Sequence, residues 1–99
     1  MPLSNAQQKI LRRLHSRQGR KKSPFFVVEG LRCCQEALTH QPDWVEFVVT
    51  TAAAKEDLPS TAKEVLVDEQ SFIELAQTEN PQGVLAVMRR PETEEVLRG

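Results

Sequence analysis

Hydrophobic positions near the start of the chain recur at helical spacing. Ser4 and Gln7 have the spacing of a capping box, in which each side chain bonds to the backbone amide of the other residue, so a helix is predicted over residues 5–17. Its apolar positions share one side of the helix: Ile10, Leu11 and Leu14. Basic side chains fall on the opposite side. We therefore expect the apolar side to dock on a core and the basic side to face outward, followed by a basic loop over residues 18–24.

Beyond this loop, apolar segments alternate between strand-like and helix-like spacing. In chain order they predict a strand at 25–28, a helix at 31–39, a strand at 44–51, a small-residue connection, a strand at 65–67, a helix capped by Asp68 and a strand at 84–88. The run from Phe25 to Val28 is continuously apolar, which is typical of a central strand covered on both faces. The alternation indicates an α/β sandwich with a mainly parallel sheet.

Size and composition are consistent with a single soluble domain. Ninety-nine residues with 39% hydrophobic content can close one modest core. The apolar runs are shorter than the roughly 20 residues of a membrane-spanning helix, so we expect an intracellular, cytoplasmic protein. Cys33 and Cys34 are neighbours, a spacing unsuited to an ordinary disulfide, and we expect reduced thiols in or near the core rather than a redox or metal site.

The charge is divided unequally along the chain. The first 24 residues contain seven basic side chains and no acidic one, whereas residues 25–99 contain six basic and fourteen acidic side chains. Such a basic segment favours a polyanionic partner, most commonly a phosphate backbone, because lysine and arginine displace its condensed counterions. The candidate RNA-binding residues of this segment are Arg12, Arg13, Arg17, Arg20, Lys21 and Lys22. An acidic protein surface is the alternative partner.

Catalytic and metal-binding motifs are not visible in the sequence. There is no glycine-rich phosphate loop and no cysteine or histidine pair at metal-ligand spacing, so no catalytic, cofactor or metal residue is assigned. Two glycine-containing junctions remain of interest. Glu29-Gly30 ends the first strand, and Gln82-Gly83 precedes the last one. Gln82 could contact a base or phosphate, although a tight turn is the simpler interpretation. Among the aromatic residues, the four phenylalanines fit core positions, and Trp44 is left open for RNA contact.

Several of these segments together resemble a known family. Leu3-Ser4-Asn5 with its basic helix, Arg20, the segment Phe26-Val27-Val28-Glu29-Gly30 and the segment from Asn80 to Val87 are similar to the N-terminal substrate-binding domain of the SpoU, or TrmH-like, RNA ribose 2′-O-methyltransferases. The resemblance covers about residues 3–91. It implies a three-layer α/β/α sandwich similar to the kink-turn-binding ribosomal proteins, with structured RNA, especially ribosomal RNA, as the partner.

The same resemblance implies a division of labour with a second domain. In complete family members, a C-terminal knotted domain binds S-adenosylmethionine, supplies the catalytic residues and forms the dimer. We therefore expect this chain to be an RNA-recognition domain, not catalytic by itself, without a cofactor of its own and monomeric in isolation. Its expected organisation is a basic helix and loop at 1–24, an α/β substrate-binding domain at 25–91 and a linker or frayed end at 92–99. A free-standing structural RNA-binding protein of the kink-turn-binder type is the alternative.

Overall fold

Two consecutive helices, rather than one, precede the sheet. The computed structural model describes residues 3–59, 63–76 and 81–90, in which α1 spans Asn5–Leu14 and α2 spans Arg17–Lys22. The capping box is confirmed, because Ser4 Oγ accepts a hydrogen bond from the Gln7 amide at 3.1 Å and Gln7 Oε1 accepts one from the Ser4 amide at 2.9 Å.

A second cap explains why the prediction of one helix followed by a loop is wrong. Ser16 has extended backbone angles, and its Oγ accepts a hydrogen bond from the Gly19 amide at 2.9 Å. This is the geometry of an N-cap, so the chain leaves α1 and starts α2 within two residues. Most of the predicted basic loop is therefore helical.

The other elements follow the predicted order closely. They are β1 (Phe25–Glu29), α3 (Leu31–His40), a 3-10 turn (Pro42–Trp44), β2 (Val45–Thr50), α4 (Ala52–Lys55), β3 (Glu64–Leu66), α5 (Glu69–Leu75) and β4 (Val84–Arg89). Asp68 occupies the predicted N-cap position of α5. The short helix α4 lies where only a small-residue connection was expected. The linker predicted at 92–99 lies outside the described residues.

The sheet is mixed and mostly antiparallel, so the prediction of a mainly parallel sheet is wrong. Its strand order is β1-β4-β2-β3, in which β4 pairs antiparallel with both β1 and β2, and only β2 and β3 pair in parallel. Thr50 is in register with both Leu66 of β3 and Val84 of β4. The chain therefore leaves β3 and enters β4 at the same end of the sheet, because α5 connects the two strands there. As a result, β4 runs in the opposite direction from the other three strands.

The position of β1 also differs from the prediction. Among the described residues it pairs only with β4 and forms an edge of the sheet, and all five of its residues are partly exposed. The central strands are instead β2 and β4, and Val84 to Met88 of β4 are all buried. The apolar run of β1 is explained by its two faces, because helices cover parts of both of them although the strand lies at an edge of the sheet.

Two hydrophobic clusters lie on opposite faces of the sheet, as the alternation along β1 requires. Phe25 and Val27 pack against one cluster, and Phe26 and Val28 pack against the other. On the first face α1 and α5 cover the sheet through Leu11, Leu14 and Phe72, together with Phe47, Val49, Leu85 and Val87 of the strands. On the second face α3 and α4 contribute Cys34, Leu38 and Ala54.

The two neighbouring cysteines occupy different environments. Cys34 is fully buried and its thiol donates to the carbonyl oxygen of Val28 at 3.3 Å, whereas Cys33 is exposed. Burial, with smaller effects of Cys33 and Glu29, raises the pKa of the Cys34 thiol to about 12. The expectation of a packed thiol therefore holds for Cys34 but not for Cys33. In the described part of the chain, no helix is both long and apolar enough to cross a bilayer.

Phe47 and Phe26 provide a matched test of the two sheet positions. Phe47 is 2% exposed in the central part of the core, so replacing it by alanine should lower the free energy of unfolding by about 3 to 5 kcal/mol. Phe26→Ala should cost less, because this side chain is half-buried at the sheet edge. Urea denaturation followed by circular dichroism measures both values. Equal losses for the two variants would contradict the edge position of β1.

Gly83 is predicted to resist substitution. Its φ is +85°, its carbonyl accepts the Thr51 amide at 2.8 Å, and an added Cβ would lie 2.8 Å from Thr51 Oγ1. Gly83→Ala should therefore destabilise the fold by at least about 1 kcal/mol, because it combines left-handed backbone strain with a steric clash. Ala53→Ser, an exposed change nearby, is the control and should stay within about 0.5 kcal/mol of the parent in the same denaturation experiment.

Candidate nucleic-acid interface

The six basic residues predicted from the sequence are brought together on α1 and α2. We call them the N-terminal basic surface, which comprises Arg12, Arg13, Arg17, Arg20, Lys21 and Lys22, and all six are exposed. The opposite side of α1 is anchored by Leu11, which is 2% exposed, and Leu14, which is 0% exposed. Arg12 and Arg13 are therefore carried on a helix that is fixed to the core, and the other four cations lie on α2, which follows it directly.

Arg20 has a structural role in addition to its charge. Its Nη1 atom donates to the carbonyl oxygens of Leu14 at 3.2 Å and of His15 at 3.4 Å, which lie at the end of α1. A cation at a helix C-terminus satisfies terminal carbonyls and interacts favourably with the helix dipole. Arg20 therefore holds α2 against the end of α1.

The junction between these two helices is tight. A Cβ atom placed on Gly19 would overlap the carbonyl oxygen of Arg13 and lie 2.8 Å from Ser16 Oγ. Only glycine allows this approach without a shift of the backbone. The close junction holds the end of α1 against the start of α2.

This surface lacks internal neutralisation. None of its six side chains forms an ion pair with a described residue. Several of the cations lie in the last turns of α1 and α2, where the helix dipoles stabilise positive charge. This stabilisation explains why the fold tolerates several neighbouring cations. Because the six cations are exposed, they leave a positive surface available to a polyanion.

Gln82 has a defined partner at the other glycine-containing junction. Its Oε1 atom accepts the backbone amide of Leu31 at 2.8 Å, at the start of α3. Gly30, the N-cap of α3, has a φ of +98° and no side chain of its own to cap the helix. The two junctions singled out in the sequence therefore meet, and Gln82 supplies the cap that Gly30 lacks. Gln82 remains exposed, and its amide nitrogen has no hydrogen bond to the described residues.

An open groove of about 510 Å³ adjoins Gln82. Its floor includes the buried ring of Phe72, and Ile73, which is 55% exposed, lines it as well. The remaining lining residues are Thr51, Ala53, Ala54, Glu69, Pro81, Gln82 and Gly83. The groove combines an apolar floor with a few polar groups, a composition common in ligand-binding clefts.

The structure does not place Gln82 beside the N-terminal basic surface. The chain passes from α2 into the start of β1, whereas Gln82 contacts Leu31 just beyond the end of β1. Five residues of strand separate these positions by about 17 Å. Gln82 and the end of α2 therefore lie at opposite ends of β1.

Two further cations near α2 were missed by sequence reasoning. Arg89 lies opposite Phe25 in the antiparallel ladder, and the Arg90 amide donates to the Pro24 carbonyl at 2.9 Å. The guanidinium carbon of Arg89 lies 5.7 Å from the centroid of the Phe25 ring, and that of Arg90 lies 5.6 Å from the centroid of Phe26. Only the pairing of β4 with β1 reveals this proximity, because the two segments are far apart in sequence.

Trp44, the aromatic residue left open in the sequence, lies against Phe26 near the same end of the sheet. Trp44 is half-buried, and its ring meets Phe26 edge to face with centroids 6.4 Å apart and an interplanar angle of 86°. Phe47 and Phe72 occupy the core as predicted, but Phe25 and Phe26 are only half-buried. The expectation of core positions is therefore confirmed for Phe47 and Phe72, whereas Phe25 and Phe26 pack against the core clusters from the edge of the sheet.

Sequence comparison finds relatives among the RNA-modifying enzymes. The family model of the MRM3-like substrate-binding domain matches residues 5–86. The chain is 29% identical over 90 residues to the 23S rRNA (guanosine(2553)-2′-O)-methyltransferase RlmP of Bacillus subtilis, a match that covers 89% of this chain and 36% of the relative. The chain thus spans about a third of the length of this enzyme.

Solved structures have the same fold over a similar share of their length. An RNA methyltransferase of the TrmH family from Porphyromonas gingivalis matches with a TM-score of 0.69 and 32% identity, over 90% of this chain and 36% of that one. An rRNA methyltransferase from Sinorhizobium meliloti matches with a TM-score of 0.63 and 23% identity, over 90% and 35% of the two chains. Because the family model matches most of its length, this chain belongs to the family of MRM3-like substrate-binding domains, which confirms its resemblance to the substrate-binding domain of the SpoU, or TrmH-like, methyltransferases.

Proposed function

We propose that this chain is the RNA-recognition domain of a ribosomal RNA ribose 2′-O-methyltransferase. The observation that carries the proposal is the N-terminal basic surface, a set of six exposed cations on α2 and on α1, which docks to the core. The family membership and the activity of the B. subtilis relative, a 23S rRNA methyltransferase, support ribosomal RNA as the polyanion.

Phosphate binding is the chemistry that this surface can perform. Arginine presents a planar fork of donors that matches two phosphate oxygens, and lysine adds a compact charge. In this proposal Arg12, Arg13, Arg17, Lys21 and Lys22 contact phosphates directly. Arg20 contributes charge while its Nη1 atom maintains the helix junction, so part of its effect on RNA binding is indirect.

Gln82 is proposed as a contact at a separate point on the RNA. The bond from its oxygen to Leu31 fixes the amide, which leaves the nitrogen as a donor beside the groove. A donor held in this way can bond to a base edge or a phosphate oxygen. The distance along β1 means that an RNA contacting both regions must extend across the domain.

The domain would position a target ribose for chemistry performed elsewhere in a longer protein. S-adenosylmethionine and the catalytic residues belong, in this proposal, to a separate domain, and no residue of this chain is assigned to either role. We further propose a three-layer α/β/α arrangement of the kink-turn-binder type, which the clusters on both faces of the sheet support. A cytoplasmic location and a monomeric state in isolation are expectations of the same proposal.

A salt titration tests the proposal directly. Binding of the chain to labelled ribosomal RNA fragments should be saturable and should weaken with salt, because bound cations replace condensed counterions. Contact with about five phosphates of a single-stranded segment predicts a slope of about −3.5 for the logarithm of the association constant against the logarithm of salt concentration. Fluorescence anisotropy measures this slope, with an acidic protein as competitor. An affinity that does not change with salt would contradict the phosphate model. RNA that is displaced by the acidic protein but not by salt would also contradict it.

Arg17 and Arg20 should separate binding from folding. Arg17→Glu should weaken RNA binding and leave the thermal transition nearly unchanged, because Arg17 is exposed and has no ion pair with a described residue. Arg20→Glu should weaken binding and also lower the transition temperature, since it loses its bonds to the α1 carbonyls and places a negative charge at a helix C-terminus. Anisotropy and thermal circular dichroism on both variants check the two effects. Equal destabilisation by both changes would contradict this assignment.

A further inference from the structure

A second cationic feature lies at the end of the sheet where α2 meets β1. Arg89 and Arg90 are exposed, and they follow the buried residues Val84 to Met88 of β4. The bond from the Arg90 amide to the Pro24 carbonyl fixes their backbone two residues from the end of α2. The two arginines therefore continue the N-terminal basic surface, although about 67 residues of chain separate them from Lys22.

Aromatic rings hold both guanidinium groups in place. Each guanidinium carbon lies within 6 Å of a phenylalanine centroid, Arg89 with Phe25 and Arg90 with Phe26, which is the range of a cation–π interaction. The Trp44 ring packs edge to face against the Phe26 ring. Stacking leaves the N–H donors at the edges of a guanidinium plane available, and it reduces the conformational freedom lost when a ligand binds.

The two arginines point to opposite faces of the sheet. Arg89 shares its face with Phe25, on the side covered by α1, and Arg90 shares its face with Phe26, on the side covered by α3. Neither forms an ion pair with a described residue. They therefore flank the open edge strand β1 as a pair of oriented cations.

We propose that Arg89 and Arg90 each bind an RNA phosphate, so that the RNA path continues from α2 around the exposed end of β1. Phe25 and Phe26 act as positioning residues, because they orient the guanidinium groups rather than contact the RNA. This inference rests on the proposed RNA-binding function and adds a contact site that the basic segment of the sequence does not contain. Phosphate is favoured over a carboxylate partner because the B. subtilis relative is a 23S rRNA methyltransferase.

The test uses the whole 99-residue chain and labelled oligouridylate, which offers phosphates without a folded structure. Arg90→Gln should make the salt slope shallower by about 0.7, and the double variant Arg89→Gln with Arg90→Gln by about 1.4, with a several-fold loss of affinity. Lys55→Gln is the control, because Lys55 is already paired with Glu64 at 2.9 Å, and its slope should match the parent. A parental slope in the double variant would overturn the proposal, as would a slope change in Lys55→Gln equal to that of Arg90→Gln.

A double-mutant cycle tests the role of the ring. Phe26→Leu keeps an apolar side chain but removes the stacking surface, so it should weaken RNA binding in the parent and have no further effect in Arg90→Gln. Arg90→Lys, which retains the charge without the planar fork, should bind more weakly than the parent but more tightly than Arg90→Gln. Additive effects of Phe26→Leu and Arg90→Gln, or parental affinity in Arg90→Lys, would overturn the positioning role.

Failure of this inference is distinguishable from failure of the proposed function. If Arg17→Glu weakens RNA binding but the double variant of Arg89 and Arg90 does not, the N-terminal basic surface binds RNA and these two arginines do not. If the parent chain shows no salt-sensitive RNA binding, the proposed function itself fails. If the double variant binds RNA like the parent but loses binding to an acidic protein, the two arginines belong to a protein partner, and the inference is overturned.

Discussion

The pairing of β4 with both β1 and β2 is the interaction on which the rest of the structure depends. Without β4, β1 would have no hydrogen-bonded neighbour, and the two faces of the sheet would lack their central buried side chains. The same pairing fixes both ends of the domain. At the start of β4, Gln82 meets Leu31 and caps α3, and at its end Arg89 and Arg90 lie beside Phe25 and Pro24. A single register therefore sets the position of two surfaces that are candidates for RNA contact.

The N-terminal helices combine an apolar side that anchors α1 to the core with exposed positive charge. Leu11 and Leu14 bind α1 to the core, and this fixed helix carries cations that would otherwise lose more conformational freedom on binding. The junction between α1 and α2 depends on Ser16, Gly19 and Arg20, which act through a cap, a close approach and bonds to terminal carbonyls. Arg20 therefore both stabilises the helix junction and contributes to the positive charge of the surface, and a change at this residue affects both.

Local patterns predicted the elements well because their causes are local. The capping box at Ser4, the apolar side of α1 and the run at Val84 to Met88 depend on neighbours within a few residues, and each lies where the sequence placed it. The division of the predicted first helix was missed because Ser16 also fits a helix interior, and only its backbone geometry identifies it as a cap. The candidate cations of α1 and α2 were visible for the same local reason, whereas the partner of Gln82 was not.

The sequence by itself determined the order of the strands and of all helices except α2 and α4, the basic segment and the family resemblance, because periodicity, capping and composition act over short distances. Only the tertiary structure decided that β1 is an edge strand, that β4 runs antiparallel between β1 and β2, and that Gln82 caps α3. It also decided that Arg89 and Arg90 stack on Phe25 and Phe26 at the end of α2. Strand register is a long-range property, since hydrogen bonds join segments about 60 residues apart, and no local pattern specifies which segments meet.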